Sequence, residues 1–401
     1  MVNPPIKNFI DRYSADVILF IGAGASVNFG FPLMNNFFSN YFPNFGLNTL
    51  KDLEFKPNLK GNDIILLCMY YLYENQIIER SENIKTDLEE VLQLMIDIRE
   101  NINKPDNPNL LKALNLAIIA KYGENVKNDI ENNNFFKTDL WKNFSKEIDK
   151  SIEKLTLGLY KIYGKIENEN IEIKLKESYF PLFDIISELT RGNIMVFTTN
   201  YDPVLDIFLK NNSNKYDRIF VNGFKYDNQI KRNLWKFQNY FLKTDSNVIS
   251  YFNLHGSVLW EKEGNNWIYH EPSEFKEIDY FENALIKPPI VKISKESIFM
   301  NIYDFYTEIL KNQKPKFFIT IGFSFRDTDI LEITKKHIKE NENLIFIYFS
   351  PHADKNIKII FGEDLQNKII PFTKAFGLPD CCKELGQTIK NRINKFKPPY
   401  I

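Results

Sequence analysis

Four histidines occur in the chain, and one of them, His255, has a setting suited to proton transfer. It follows Asn253-Leu254 at the end of an apolar run and precedes Gly256, which leaves room beside the ring. Imidazole is the natural general base near neutral pH. His270, His337 and His352 have no such setting. A second polar group, Thr198-Thr199-Asn200-Tyr201-Asp202-Pro203, directly follows another apolar run. Asp202 before Pro203 makes a good helix N-cap with proline at the first helical position, so part of this segment has a purely structural use. That use leaves Asn200 unexplained, and an amide at a sheet edge can hold a water or a carboxamide. Two small-residue turns complete the set. In Gly22-Ala23-Gly24-Ala25-Ser26 the glycines allow a tight turn and close approach to a diphosphate, and a following helix N-terminus would add amide donors. The same residues also suit a tight turn with no ligand. In Gly322-Phe323-Ser324-Phe325-Arg326-Asp327, Gly322 and Ser324 can approach phosphate or ribose, and Asp327 or Asp329 reads as an N-cap.

The elements that must position these residues are short apolar runs. Val17–Ile21, Ile194–Phe197, Ile219–Val221, Tyr251–Leu254, Lys316–Ile321 and Leu344–Phe349 read as strands, several of them continuous enough to be buried on both faces. A helix is expected over Asp327–Lys339. Strands alternating with helices predict an α/β fold with a Rossmann-like, doubly wound parallel sheet. Ligands bind at the carboxyl edge of such sheets, and each motif falls there. Residues 61–180 differ: Asp63–Glu79, Thr86–Glu100 and Asn109–Lys121 have helical periodicity, and Thr86-Asp87-Leu88-Glu89 resembles a capping box. We read 1–401 as one domain, with 61–180 as a large helical insertion and 380–401 as a C-terminal helix and tail.

Composition narrows the function. The 51 basic and 52 acidic residues give a net charge of −1, so no global attraction to nucleic acid or anionic membrane is expected. The cysteines, Cys68, Cys381 and Cys382, are too few for a disulfide framework, and the adjacent pair lacks the spacing of a zinc knuckle. No metal is expected. The start of the sequence does not read as a signal peptide, and no apolar run approaches the ~20 residues that span a bilayer. A soluble, cytoplasmic protein is expected. Val27 stands where a third fingerprint glycine would fall, and no acid lies between Asp16 and Asp52 to hold a ribose. That argues against an ordinary NAD-dependent dehydrogenase.

The order of the motifs, GAGAS, TTNYD, LHG and GFS, resembles that of the sirtuins. The resemblance implies a sirtuin-like core that takes NAD⁺ as its substrate. Gly22, Ala23, Gly24 and Ser26 would hold the diphosphate. Asn200, Asp202 and His255 would surround the nicotinamide end, with Asn200 and His255 catalytic. Pro32 of the retained Gly30-Phe31-Pro32, together with Gly322 and Ser324, would complete the cofactor contacts. Protein-deacylating sirtuins carry a four-cysteine zinc module that this chain cannot build. With its helical insertion the chain is more similar to the sirtuin-like NAD⁺ hydrolases of prokaryotic antiphage defence. That resemblance implies an NAD⁺ glycohydrolase, a homo-oligomer, and a partner such as an ATPase or an Argonaute-like protein. The other readings are an NAD-dependent deacylase or ADP-ribosyltransferase, and a non-catalytic module that binds NAD or ADP-ribose.

Overall fold

The computed structural model describes residues 15–31, 33, 65, 68, 88–100, 118–119, 122–132, 138–164, 168–241, 247–271, 297–312, 316–378 and 380–396. Pro32, Thr86, Asp87 and most of the helices expected over Asp63–Glu79 and Asn109–Lys121 lie outside the described residues.

The main sheet contains β1 (Ala15–Ile21), β2 (Asn193–Thr198), β3 (Ile219–Val221), β6 (Val248–Asn253), β9 (Phe317–Ile321), β10 (Ile345–Phe349) and β11 (Ile369–Phe372), in the order β11-β10-β9-β1-β2-β6-β3. Every pairing in it is parallel. The chain builds outward from β1 to one side through β2 and β6, then returns to the other side through β9. The strand order therefore reverses at β1, where open α/β sheets form their binding crevice. β11 was not anticipated. Its Pro371 cannot donate to a ladder, and it is tolerated because β11 is an edge strand.

The strands read as apolar runs because both faces are covered. Ile18, Phe20, Met195, Phe197, Phe252, Phe318 and Phe346 join one core with α6 (Ser297–Asn312), α7 (Thr328–Glu340) and α8 (Ala353–Phe361). On α6 the buried Ile298, Ile302, Phe305, Tyr306 and Ile309 follow the helical repeat. Alternate strand residues point to the opposite face. The rings of Tyr179 and Phe183, on α4 (Tyr179–Leu189), pack against Phe208 of α5 (Val204–Asn212). α4 also contacts α9 (Cys381–Phe396), whose Cys381, Cys382, Leu385 and Ile389 are buried. A second, antiparallel sheet is formed by β4 (Phe224–Asp227), β5 (Arg232–Trp235), β7 (Trp260–Glu263) and β8 (Asn266–Tyr269), ordered β4-β5-β8-β7.

All these elements belong to one compact unit, residues 1–31, 160–287 and 292–401. The other unit comprises 32–159 and 288–291, so residues 160–180 of the segment read as an insertion group with the sheet. Within the second unit, α1 (Leu88–Glu100) buries Val91, Leu92, Leu94, Met95 and Ile98 along one face. The long α2 (Asp139–Tyr163) contributes Trp141, Phe144, Ile148 and Leu155 to this unit, and Phe144 meets the rings of Trp141 and Tyr122. α3 (Asn168–Glu177) precedes α4. Among the described residues no helix is long and apolar enough to cross a membrane.

Candidate active site

The two glycine turns meet at the carboxyl edge of β1 and β9. Gly22 N–H donates to Ile321 O and Gly24 N–H to Gly322 O, both at 2.9 Å. A Cβ on Gly22 would lie 2.6 Å from Phe323 Cα, and one on Gly322 would lie 2.4 Å from Ala25 N. Gly322 also has φ +65. Packing of the two turns against each other thus requires these glycines. Among the described residues that follow the first turn, Ala23 to Phe31, no α-helix begins. Ala23–Ala25 and Val27–Phe29 are two 3₁₀ turns ended by Gly30 at φ 90. Ala25 and Ser26 N–H bond back to Gly22 and Ala23 carbonyls at 3.0 Å. Four amides of the turn are therefore committed inside the protein, and Ala23 N–H is not among them. Ser324 is exposed, and among the described residues no hydrogen bond links it to the polar group below.

That group is built where β1 and β2 end. Thr198 Oγ1 donates to Ile21 O at 2.9 Å and accepts Asn200 N–H at 3.0 Å, which fixes the backbone of the turn. Asn200 Nδ2 then donates to Ser26 Oγ at 2.8 Å. Ser26, Asn200 and Asp202 are all buried. Asp202 accepts from the Ser26 hydroxyl and from Val204 N–H at 3.2 Å, but the N-cap of α5 is Pro203, one residue later than expected, so Asp202 stands just before the cap. Burial pushes the Asp202 carboxyl up to about 6 against these hydrogen bonds. Above that pH the carboxylate only accepts, so Ser26 must give it its single proton and must itself accept from the Asn200 amide nitrogen. The polarity of Asn200 follows: Nδ2 is the end held by Ser26, and Oδ1 is the end turned away from it. Asn200 Oδ1 is buried with no hydrogen-bond partner among the described residues, a costly state unless a ligand or water donates to it. The buried Tyr179 hydroxyl also lacks a partner there, and the Asp202 charge adds to the burial that raises its pKa.

His255 comes from the neighbouring strand. Leu254 N–H donates to Thr198 O at 2.8 Å and Val258 N–H to Tyr201 O at 3.1 Å, tying the two turns together. Gly256 takes φ 86 behind the histidine. The His255 ring is 7% exposed, and its centroid lies 6.2 Å from that of Tyr201. Asn253, which the sequence reading left without a role, contacts both turns. Its Nδ2 donates to Asn200 O at 2.9 Å, and its Oδ1 accepts His255 N–H at 3.2 Å. Asp327 caps α7 through Asp329 and Ile330 N–H at 3.0 Å. Its carboxyl is raised by burial and drawn back by its cap bond and by the charge of His255. The remaining histidines have structural settings. His270 pairs with Glu261 at 2.6 Å, buried His337 bonds to Leu310 O at 2.5 Å, and His352 precedes α8. Among the described residues no group of three or more His, Cys, Asp or Glu could hold a metal ion.

The structure thus links Ser26, Asn200 and Asp202 by side-chain hydrogen bonds, ties the backbone of His255 to that of Asn200 through Asn253, packs Gly22 and Gly24 against Gly322, and leaves Ser324 exposed. Such a fold, with a buried polar group at the carboxyl edge of a seven-stranded parallel sheet, defines a doubly wound α/β protein. Residues 194–369 match the family model described as the SIR2-like domain. The match supports a sirtuin-like family and an NAD-related function in general. It takes in the Asn200, His255 and Gly322 turns, whereas Gly22–Ser26 lies before it. No curated protein matches the chain.

Proposed function

We propose that this chain is an NAD⁺ glycohydrolase that cleaves the nicotinamide–ribose bond to give nicotinamide and ADP-ribose. The observation that carries the reading is the polar group itself. The Asn200 side-chain oxygen is buried and without a partner among the described residues, its amide nitrogen is linked through Ser26 to the buried Asp202 carboxylate, and its main chain is joined through Asn253 to the backbone of His255. The C–N bond electrons leave with the nicotinamide ring, which becomes neutral, while positive charge builds on the ribose. The Asp202 carboxylate stabilises the cationic ring in the bound substrate and the charge that follows it. Asn200 Oδ1 accepts a hydrogen bond from the attacking water or the leaving carboxamide. Water forms the new C–O bond, and His255 takes its proton. Gly22, Ala23 and Gly24 would lie against the diphosphate through their backbone, and Gly322 and Ser324 against the far side of the substrate. The match over 194–369 supports the NAD-related part of this reading.

By the same reading the protein depletes NAD⁺ in antiphage defence. It works in the cytoplasm as a homo-oligomer controlled by a partner such as an ATPase or an Argonaute-like protein, and it needs no metal and no contact with nucleic acid. Chromatography of NAD⁺ incubated with the full chain tests the chemistry. Nicotinamide and ADP-ribose should appear in equal amounts without any peptide, and Asn200→Ala or His255→Ala should lower the rate about 100-fold or more. Full activity in both variants would refute the assignment, and turnover that requires an acylated peptide would favour the deacylase reading.

A further inference from the structure

The geometry points to Asn253 as a positioning residue that sets Asn200 and His255 relative to each other, an inference that rests on reading those two as the reaction centre. Asn253 is the last residue of β6 and is completely buried. It lies in register with Thr198, the last residue of β2, so its side chain reaches both turns that leave these strands. Each end of its amide is used: Nδ2 holds the Asn200 carbonyl at 2.9 Å and Oδ1 holds the His255 N–H at 3.2 Å. A hydrogen bond from Asn253 also reaches the buried Tyr251 side chain. A planar group with a donor at one end and an acceptor at the other is required here. Leucine offers neither, aspartate offers no donor, and serine is too short to span the turns. Without the amide, a carbonyl and an N–H would be left unsatisfied beside the site. The sheet itself does not depend on Asn253, because the Leu254–Thr198 and Val258–Tyr201 backbone bonds join the same segments. Its loss should therefore misplace two side chains while the chain stays folded.

The test uses the full chain with Asn253→Ala and the isosteric Asn253→Asp, which keeps the acceptor for His255 N–H and loses the donor to Asn200. Two quantities are read: the steady-state kinetics of nicotinamide release, and the ¹³Cε1 histidine resonances. With four histidines in the chain, His255 can be assigned by comparison with His255→Ala. In both variants kcat should fall about tenfold or more while KM for NAD⁺ stays within about twofold, the pattern of misplaced reacting groups. The His255 resonance should move while those of His270, His337 and His352 stay in place. An unchanged kcat with an unmoved His255 resonance, in either folded variant, would overturn the inference. So would a KM that rises as far as kcat falls. A wild-type chain that releases no nicotinamide, while its His255 resonance still moves on substitution of Asn253, would refute the glycohydrolase reading and leave the positioning role standing.

Discussion

Asp202 has the least comfortable position of any residue in the site: a carboxylate with almost no exposure, held by one hydroxyl and backbone amides and pushed up to about 6 by burial. If its charge faces the cationic nicotinamide, protonation removes that attraction. With NAD⁺ as substrate, kcat/KM should fall as the pH drops below about 6, approaching tenfold per unit, and Asp202→Asn should be slow and lack this limb. Ser26 provides a sharper check. Its hydrogen bond lowers the Asp202 pKa, so Ser26→Ala should move the acid limb to higher pH as well as loosen Asn200. A serine that only contacted diphosphate would raise KM and leave the limb in place. The sequence marks Ser26 as a residue of a glycine turn and Asn200 as an amide after a strand. Their hydrogen bond joins positions 174 apart, and no local pattern encodes it. Asn253 was overlooked for the same reason, although it adjoins the Leu-His-Gly turn that drew notice.

At the scale of elements, the strands of the main sheet other than the edge strand β11 were legible as short apolar runs, most of them buried on both faces, and α7 was legible from its Asp327 cap. The antiparallel sheet was not. β4, β5, β7 and β8 are four residues each and carry exposed side chains such as Lys225, Tyr226 and Glu263, so neither length nor alternation distinguishes them from loops. The glycine turns lie at the sheet edge, and contact between the two loops is a demand on Gly22, Gly24 and Gly322 that the sequence does not reveal. Gly322→Ala should therefore destabilise the ligand-free protein by about 3 kcal/mol or more, combining left-handed backbone strain with overpacking against Ala25. Gly30→Ala makes the control: φ is 90 there, but nothing lies within 4 Å of the added Cβ, so only the conformational cost of about 1–2 kcal/mol applies. Thermal melts without NAD⁺ decide the matter. Equal stability of Gly322→Ala and wild type would return that glycine to a purely ligand-facing role.

Across the whole molecule, the buried carboxylates give stability and activity opposite responses to pH. Asp206 on α5 is fully buried and pushed up to about 7 by burial, with the Lys210 charge opposing that shift. Asp202 behaves likewise at about 6, and burial also raises Asp304 and Asp327. Between about pH 4 and the raised values of Asp202 and Asp206, the folded chain binds more protons than the unfolded one. Their contribution to stability is thus fully present below pH 4 and is lost as the pH rises through 6 and 7. Buried His337, held below its ordinary value by desolvation, acts in the other direction and loses stability as the pH falls. Wild-type stability alone therefore mixes the two trends, and a comparison of variants separates them. Asn keeps an acceptor for Val204 N–H at position 202 and for the Tyr269 hydroxyl at position 206, and it removes the buried charge. Asp202→Asn/Asp206→Asn should melt close to wild type at pH 4 and several degrees above it at pH 8, where the two ionised groups cost roughly 3 and 4 kcal/mol. A gap that is constant with pH would mean that these carboxylates are not strained by ionisation. If the gap opens with pH and NAD⁺ cleavage is lost, the unstable charge at Asp202 is what the fold maintains for its chemistry, while Asp206→Asn alone should stabilise the chain and leave the Asp202 acid limb in place.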